Sequence, residues 1–164
     1  HLQGATRRPL GRVATGIAVR RGDPRPDIAT PEALRTALRA ADGIYFPDPE
    51  RATAGIHFAN VMRELGIHDE LAPRFRTFPN GATAMRELAA QSQPRLIGCT
   101  QVTEINYTEG IELVGALPKR FELATLYSAA LAASAASPAL AHRFLELLAG
   151  DASLALRRAG GFEV

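Results

Sequence analysis

The feature that most constrains this chain is a recurring unit of helix start, amphipathic run, stop signal and short apolar strand. Thr30-Pro31-Glu32 opens the clearest copy, with a hydroxyl as N-cap, proline at the first helical position and an acid in the first turn. Leu34, Leu38 and Ala41 make its apolar stripe, Gly43 stops it, and Ile44-Tyr45-Phe46 reads as a short buried strand broken by Pro47. The logic then repeats. Ala54 to Leu65 reads as a helix ended by Gly66, with a short helix expected over Ile67 to Leu71 and a strand over Arg74 to Phe78. Asn80-Gly81-Ala82-Thr83 caps a helix through Ala90, Arg95 to Cys99 is a strand, and Thr100 to Ile105 starts another turn or helix. Strands are also expected over Arg12 to Val19, Ile111 to Gly115 and Phe121 to Ser128, and helices over Ser137 to Leu148 and Asp151 to Ala159. The alanine-rich stretch from Ala129 to Ala136 reads as packed core. Strand and helix in alternation argue an α/β fold with a largely parallel sheet.

Composition narrows the function classes. At 164 residues and 46% hydrophobic, the chain can bury a core and is not a disordered segment. Its single cysteine, Cys99, excludes an intramolecular disulfide framework and a multi-cysteine zinc site. No stretch is long and apolar enough to span a bilayer as a helix, and the opening HLQGATRRPLGR has no signal-peptide core. Arg7, Arg8, Arg12, Arg20, Arg21 and Arg25 crowd near the start against one acid, Asp23. They read as a solvated connector rather than an anion-binding arm. Basic residues interleaved with aromatics are missing, so no nucleic-acid platform is expected.

Enzyme signatures are equally thin. His1, His57, His68 and His142 are scattered, with no metal-ligand spacing such as HExxH. Neither a nucleophile elbow, a Walker loop nor a dinucleotide fingerprint is present. Cys99 at a strand end reads as a small buried thiol. Arg157, Arg158 and Gly160-Gly161 suggest a phosphate site at first sight but are more simply the basic last turn and glycine stop of a helix. No catalytic residue, metal or cofactor is expected.

What remains is a set of loops that an open α/β sheet should gather beyond the carboxyl ends of its strands. The loop after Phe46 offers Asp48, Thr53, Ala54 and Gly55, that after Phe78 offers Asn80, Gly81, Ala82 and Thr83, and that after Cys99 offers Thr100, Gln101 and Thr103. Apart from Asp48, these residues are small or carry neutral hydroxyl and amide groups, at helix starts whose free N–H groups favour an anion. Ordinary helix capping uses the same composition.

In order and spacing, these segments resemble the molybdate-type periplasmic solute-binding proteins of ABC importers. The resemblance is carried by Gly16-Ile17-Ala18-Val19-Arg20 with Gly22, Pro26 to Leu34, Ile44 to Pro49, Ala54 to Phe58, Leu65-Gly66-Ile67, Gly98 to Ile105, Ile111 to Pro118, and the tail from Phe144 to Glu163. It implies the type II periplasmic-binding fold of two α/β lobes with ligand in the cleft. Residues 13–118 would form the second lobe, and 1–12 with 119–164 the connector and closing helices of a first lobe whose opening half is absent. A missing segment, a partner chain or self-association would then cover the incomplete lobe. The resemblance makes Ala54 and Gly55 helix-start anion donors, with Thr53 beside them, and Gly81-Ala82-Thr83 a second such loop. Gln101 stands where molybdate binders place a tyrosine, which leaves a sulfate-like or organic carboxylate ligand open. The implied function is periplasmic capture of a small anion for delivery to a membrane permease. The alternative is a ligand-sensing domain of the same fold from a LysR-type transcription regulator.

Overall fold

A computed structural model describes residues 1–164. The chain forms two compact units, Ala14–Leu123 and His1–Val13 with Ala124–Val164. Strand β1 (Arg8–Arg20) contributes to both.

In the larger unit, alternation of side chains builds a sheet buried on both faces. Strand β2 (Gly43–Pro47) is buried throughout. Its Ile44 and Phe46 join Ile17, Ile97 and Cys99 on one face, with α1 (Pro31–Ala40), α2 (Thr53–Glu64) and α3 (His68–Leu71) supplying Leu34, Leu38, Phe58, Met62 and Leu71. Tyr45 and Leu96 point to the other face, against Met85 and Leu88 of α4 (Gly81–Ala89) and Ile105 of α5 (Val102–Tyr107). A period of two in the strands and the apolar stripes of the helices produce this division. Gly98 belongs to the same pattern: a Cβ there would run into Met85 and Leu88.

The strand order is β3-β2-β4-β1-β5, with β3 as Phe75–Phe78, β4 as Leu96–Gln101 and β5 as Ile111–Ala116. Strands β3, β2 and β4 are mutually parallel. The expectation of a largely parallel sheet needs correction at the other side, because β1 runs antiparallel to both β4 and β5. The reason is connectivity: β1 precedes the first helix, so no helical crossover sets its direction, whereas β4 and β5, joined through α5, run the same way on either side of it.

Local starts and stops follow the chemistry read from the sequence. Thr30 Oγ1 accepts from Ala33 N–H at 3.1 Å and Asn80 Oδ1 from Thr83 N–H at 2.8 Å. Gly66 takes the left-handed conformation after α2, with φ of 70°. Strand β2 keeps Pro47 as its last residue instead of breaking before it.

In the smaller unit, β6 (Ala124–Ala129) pairs with β1, and Arg12 bridges Glu163. The expected strand from Phe121 is shorter, because Lys119–Phe121 forms a 3-10 turn first. Helices α6 (Pro138–Ala149) and α7 (Leu154–Gly160) follow, the latter ending at Gly161 with φ of 102°. The alanine-rich stretch is not core: only Leu131 is buried there, while Ala132, Ala133, Ser134 and Ala136 are exposed. One-carbon side chains in an irregular loop bring too little apolar area to drive burial. Arg157 is a structural tie, donating to the carbonyls of Leu10, Ala149 and Gly150 at 2.6–3.0 Å.

Phe58 packs edge-on to Phe46 with ring centroids 5.5 Å apart. Phe58→Ala is expected to cost about 3–5 kcal/mol in urea unfolding. Thr30→Ala, which removes only a cap, should cost about 1 kcal/mol.

Candidate functional site

Parallel pairing aligns the ends of three strands. Pro47 is level with Phe78 across β2 and β3. The offset that pairs Tyr45 with Gly98 brings Thr100 level with Pro47 on the other side. The loops entering α2, α4 and α5 therefore leave the sheet at one carboxyl edge, with all seven expected binding residues on it.

The first loop is built around Asp48. Its Oδ1 accepts from the N–H groups of Glu50 (2.8 Å) and Arg51 (3.1 Å), its carbonyl accepts from Ala52 N–H (3.1 Å), and its own N–H donates to Phe78 O (2.7 Å). These bonds fix the entry to α2 and tie it to the second loop. The first intrahelical bond of α2 runs from Ile56 N–H to Ala52 O at 2.9 Å, and no side chain caps the helix. The N–H groups of Thr53, Ala54 and Gly55 thus point out of the helix start without an acceptor from a cap. Thr53 is exposed, whereas Ala54 and Gly55 are buried. Gly55 has to lack a side chain, since a Cβ would overlap the carbonyl oxygens of Pro47 and Asp48.

The second loop is not equivalent to the first. Asn80 takes the N–H of Thr83, and the Thr83 hydroxyl accepts from the Arg86 guanidinium at 3.1 Å. Only Gly81 and Ala82 keep N–H groups outside that cap. Gly81 is buried, and a Cβ on it would overlap Thr100 Oγ1 and Glu104 Oε2. Thr100 itself is fully buried and donates to Glu104 Oε2 at 2.5 Å. Gln101 ends β4 and is half-buried at the N-cap of α5.

Sequence reasoning passed over two contributors, Thr15 and Glu104. Thr15 lies opposite Gln101 in the β1–β4 ladder and is 2% exposed. Its N–H donates to Leu123 O at 2.9 Å and its carbonyl accepts from Leu117 N–H at 3.0 Å, so the chain enters and leaves the larger unit at this same edge. Asp48 was legible as part of the first loop, whereas the place of Glu104 depends on its approach to Gly81, a residue of a distant segment.

A shallow pocket of about 240 Å³ opens at the edge, lined by Asp48, Arg51, Thr77, Phe78 and Pro79. A larger hollow of about 520 Å³ lies at the far ends of α4 and α5, between Arg86 and Tyr107, away from every helix start. No group of three His, Cys, Asp or Glu side chains that could hold a metal ion is present. His57 Nε2 lies 2.7 Å from Phe121 O, which ties α2 to the segment leaving the unit. Cys99 is fully buried, and burial pushes its thiol well above the usual range, so a thiolate nucleophile is unavailable.

The profile of the bacterial extracellular solute-binding protein family matches residues 1–163. The chain belongs to that family. It is 28% identical over 153 residues to an aconitate isomerase from a Pseudomonas species, covering 92% of this chain but 56% of that protein. It therefore spans little more than half the length of this curated relative. Among solved structures it is similar to the periplasmic molybdate-binding protein of Azotobacter vinelandii, at 17% identity and a TM-score of 0.72 over 99% of this chain and 70% of that one. The substrate-binding domain of a molybdenum ABC transporter from Clostridium difficile gives 12% identity and a TM-score of 0.66, over 99% of this chain and 68% of that one. These likenesses establish the periplasmic-binding-protein-like α/β fold.

Gly55→Ala should lower stability by about 1–3 kcal/mol, because the methyl meets rigid backbone oxygens. Gly115→Ala, where the nearest atom is Ile28 Cδ1 at 3.6 Å, should stay within about 0.5 kcal/mol. A water-soluble thiol reagent should label Cys99 only at denaturant concentrations that unfold the larger unit.

Proposed function

We propose that this protein is a periplasmic solute-binding protein that captures a small anion at the carboxyl edge of β2, β3 and β4 and delivers it to an ABC permease. The observation that carries the reading is the uncapped start of α2, set beside the start of α4 at the same edge. Thr53, Ala54 and Gly55 supply the principal N–H donors and Gly81 and Ala82 a second set, with Thr83 and Gln101 flanking them. Fixed dipoles of this kind hold an anion without a matching buried cation, so cavity size and donor count set selectivity. The role is binding, not catalysis. The family match favours it over the effector domain of a transcription regulator.

For the ligand, a molybdate-like oxyanion is supported by the names of the two structural relatives. A second reading, an organic polycarboxylate, is supported by the aconitate isomerase relative and by Gln101 in place of a tyrosine.

The test is thermal unfolding of the chain with molybdate, tungstate, sulfate, phosphate and a set of small carboxylates. A ligand at a hundred times its dissociation constant should stabilise by about 2.7 kcal/mol, or about 5–10 °C for a chain of this size. Thr53→Glu should abolish that shift while leaving the free protein as stable or slightly more so, because an acid in the first helical turn favours the helix and repels an anion. A ligand-induced shift that survives Thr53→Glu would move the site elsewhere.

A further inference from the structure

The start of α4 already has a carboxylate beside it. Glu104 comes from the first turn of α5, and its Oε2 lies where a side chain on Gly81 would begin. The buried Thr100 hydroxyl, donating at 2.5 Å, holds that oxygen in place. Glycine at position 81 is what lets the carboxylate approach the α4 backbone so closely. The positive end of α4 is therefore partly neutralised by the chain itself, whereas at α2 no side chain caps the start and the Asp48 carboxylate of the entry loop accepts from the N–H groups of Glu50 and Arg51 instead.

Two consequences follow from ordinary electrostatics. A fully ionised tetrahedral oxyanion spanning both helix starts would bring like charge against Glu104, which disfavours it. A ligand that places its anionic group at α2 and a hydrogen-bond donor toward Glu104 turns the same carboxylate into a recognition group. Sites built to pair with a ligand hydroxyl discriminate strongly against analogues that lack it.

We infer that Glu104 is a specificity-determining residue that selects an organic carboxylate bearing a hydroxyl donor over a bare inorganic oxyanion. The inference rests on the proposed anion site and deepens it: the ligand carries its negative charge to Thr53, Ala54 and Gly55 and its O–H to Glu104. Thr100 is a positioning residue, acting through Glu104.

Isothermal titration calorimetry on the full chain tests this with matched pairs differing by one hydroxyl, malate against succinate and citrate against tricarballylate, and with molybdate as the inorganic probe. In the unmodified protein, the hydroxylated member of at least one pair should bind at least tenfold tighter than its partner, and molybdate should bind more weakly than that member. Glu104→Gln should reduce the preference to about threefold or less and raise the affinity for molybdate. Thr100→Val keeps the carboxylate and should keep part of the preference, so a variant that fails to fold does not decide the matter alone. Equal binding within both pairs would overturn the role of Glu104 while leaving the anion site standing. Tighter binding of molybdate than of any organic acid would also overturn it. Failure of all five probes to bind would overturn both the role and the site.

Discussion

Burial of β2 on both faces of the sheet is the constraint from which the rest of the larger unit follows. Gly43-Ile44-Tyr45-Phe46-Pro47 offers no polar side chain except the Tyr45 phenol, and all five residues are buried. A strand like this needs helices above and below it. Helices α1 and α2 cover one face and α4 the other. Parallel pairing with β3 and β4 then obliges the chain to re-enter at the same end each time, so the next helix always begins beyond the same edge. The gathering of helix starts is thus a by-product of packing, and the chemistry of the edge depends on which residues occupy those starts.

Much of this was legible in the sequence because the signals were local. Thr30-Pro31 and Asn80 announced their helices through capping chemistry, and Ile44 to Phe46 announced a buried strand through apolarity alone. Arg157 and Arg158 fall in the last turn of the helix they were read as closing. The direction of β1 was not legible, since a strand carries no mark of its partner's polarity. The fate of the alanine-rich stretch was misread because alanine is equally at home in core and loop.

At the candidate site the residue types could be read, but their inequivalence could not. Thr83 looked like a donor beside Gly81 and Ala82, yet its N–H is taken by Asn80 and its hydroxyl by Arg86. Glu104 was given no role of its own, and only the fold brings it, from the first turn of α5, against Gly81. Thr15 and Gln101 are 86 residues apart and meet only through the ladder between β1 and β4. Nothing in either segment's composition marks that meeting.

The bare start of α2 has a thermodynamic meaning of its own. A side chain caps one amide at each of the entrances of α1 and α4, while α2 is left with no side-chain cap, a deficit that caps elsewhere relieve by about 1 kcal/mol. The helix carrying Phe58, Val61 and Met62 into the core is thereby the one whose entrance is unfinished. An acceptor arriving there completes a helix that the core already leans on, so occupancy of a surface edge is felt as cohesion in the interior. Amide exchange along α2 should therefore report on an event at its first turn more sensitively than any change in the shape of the edge.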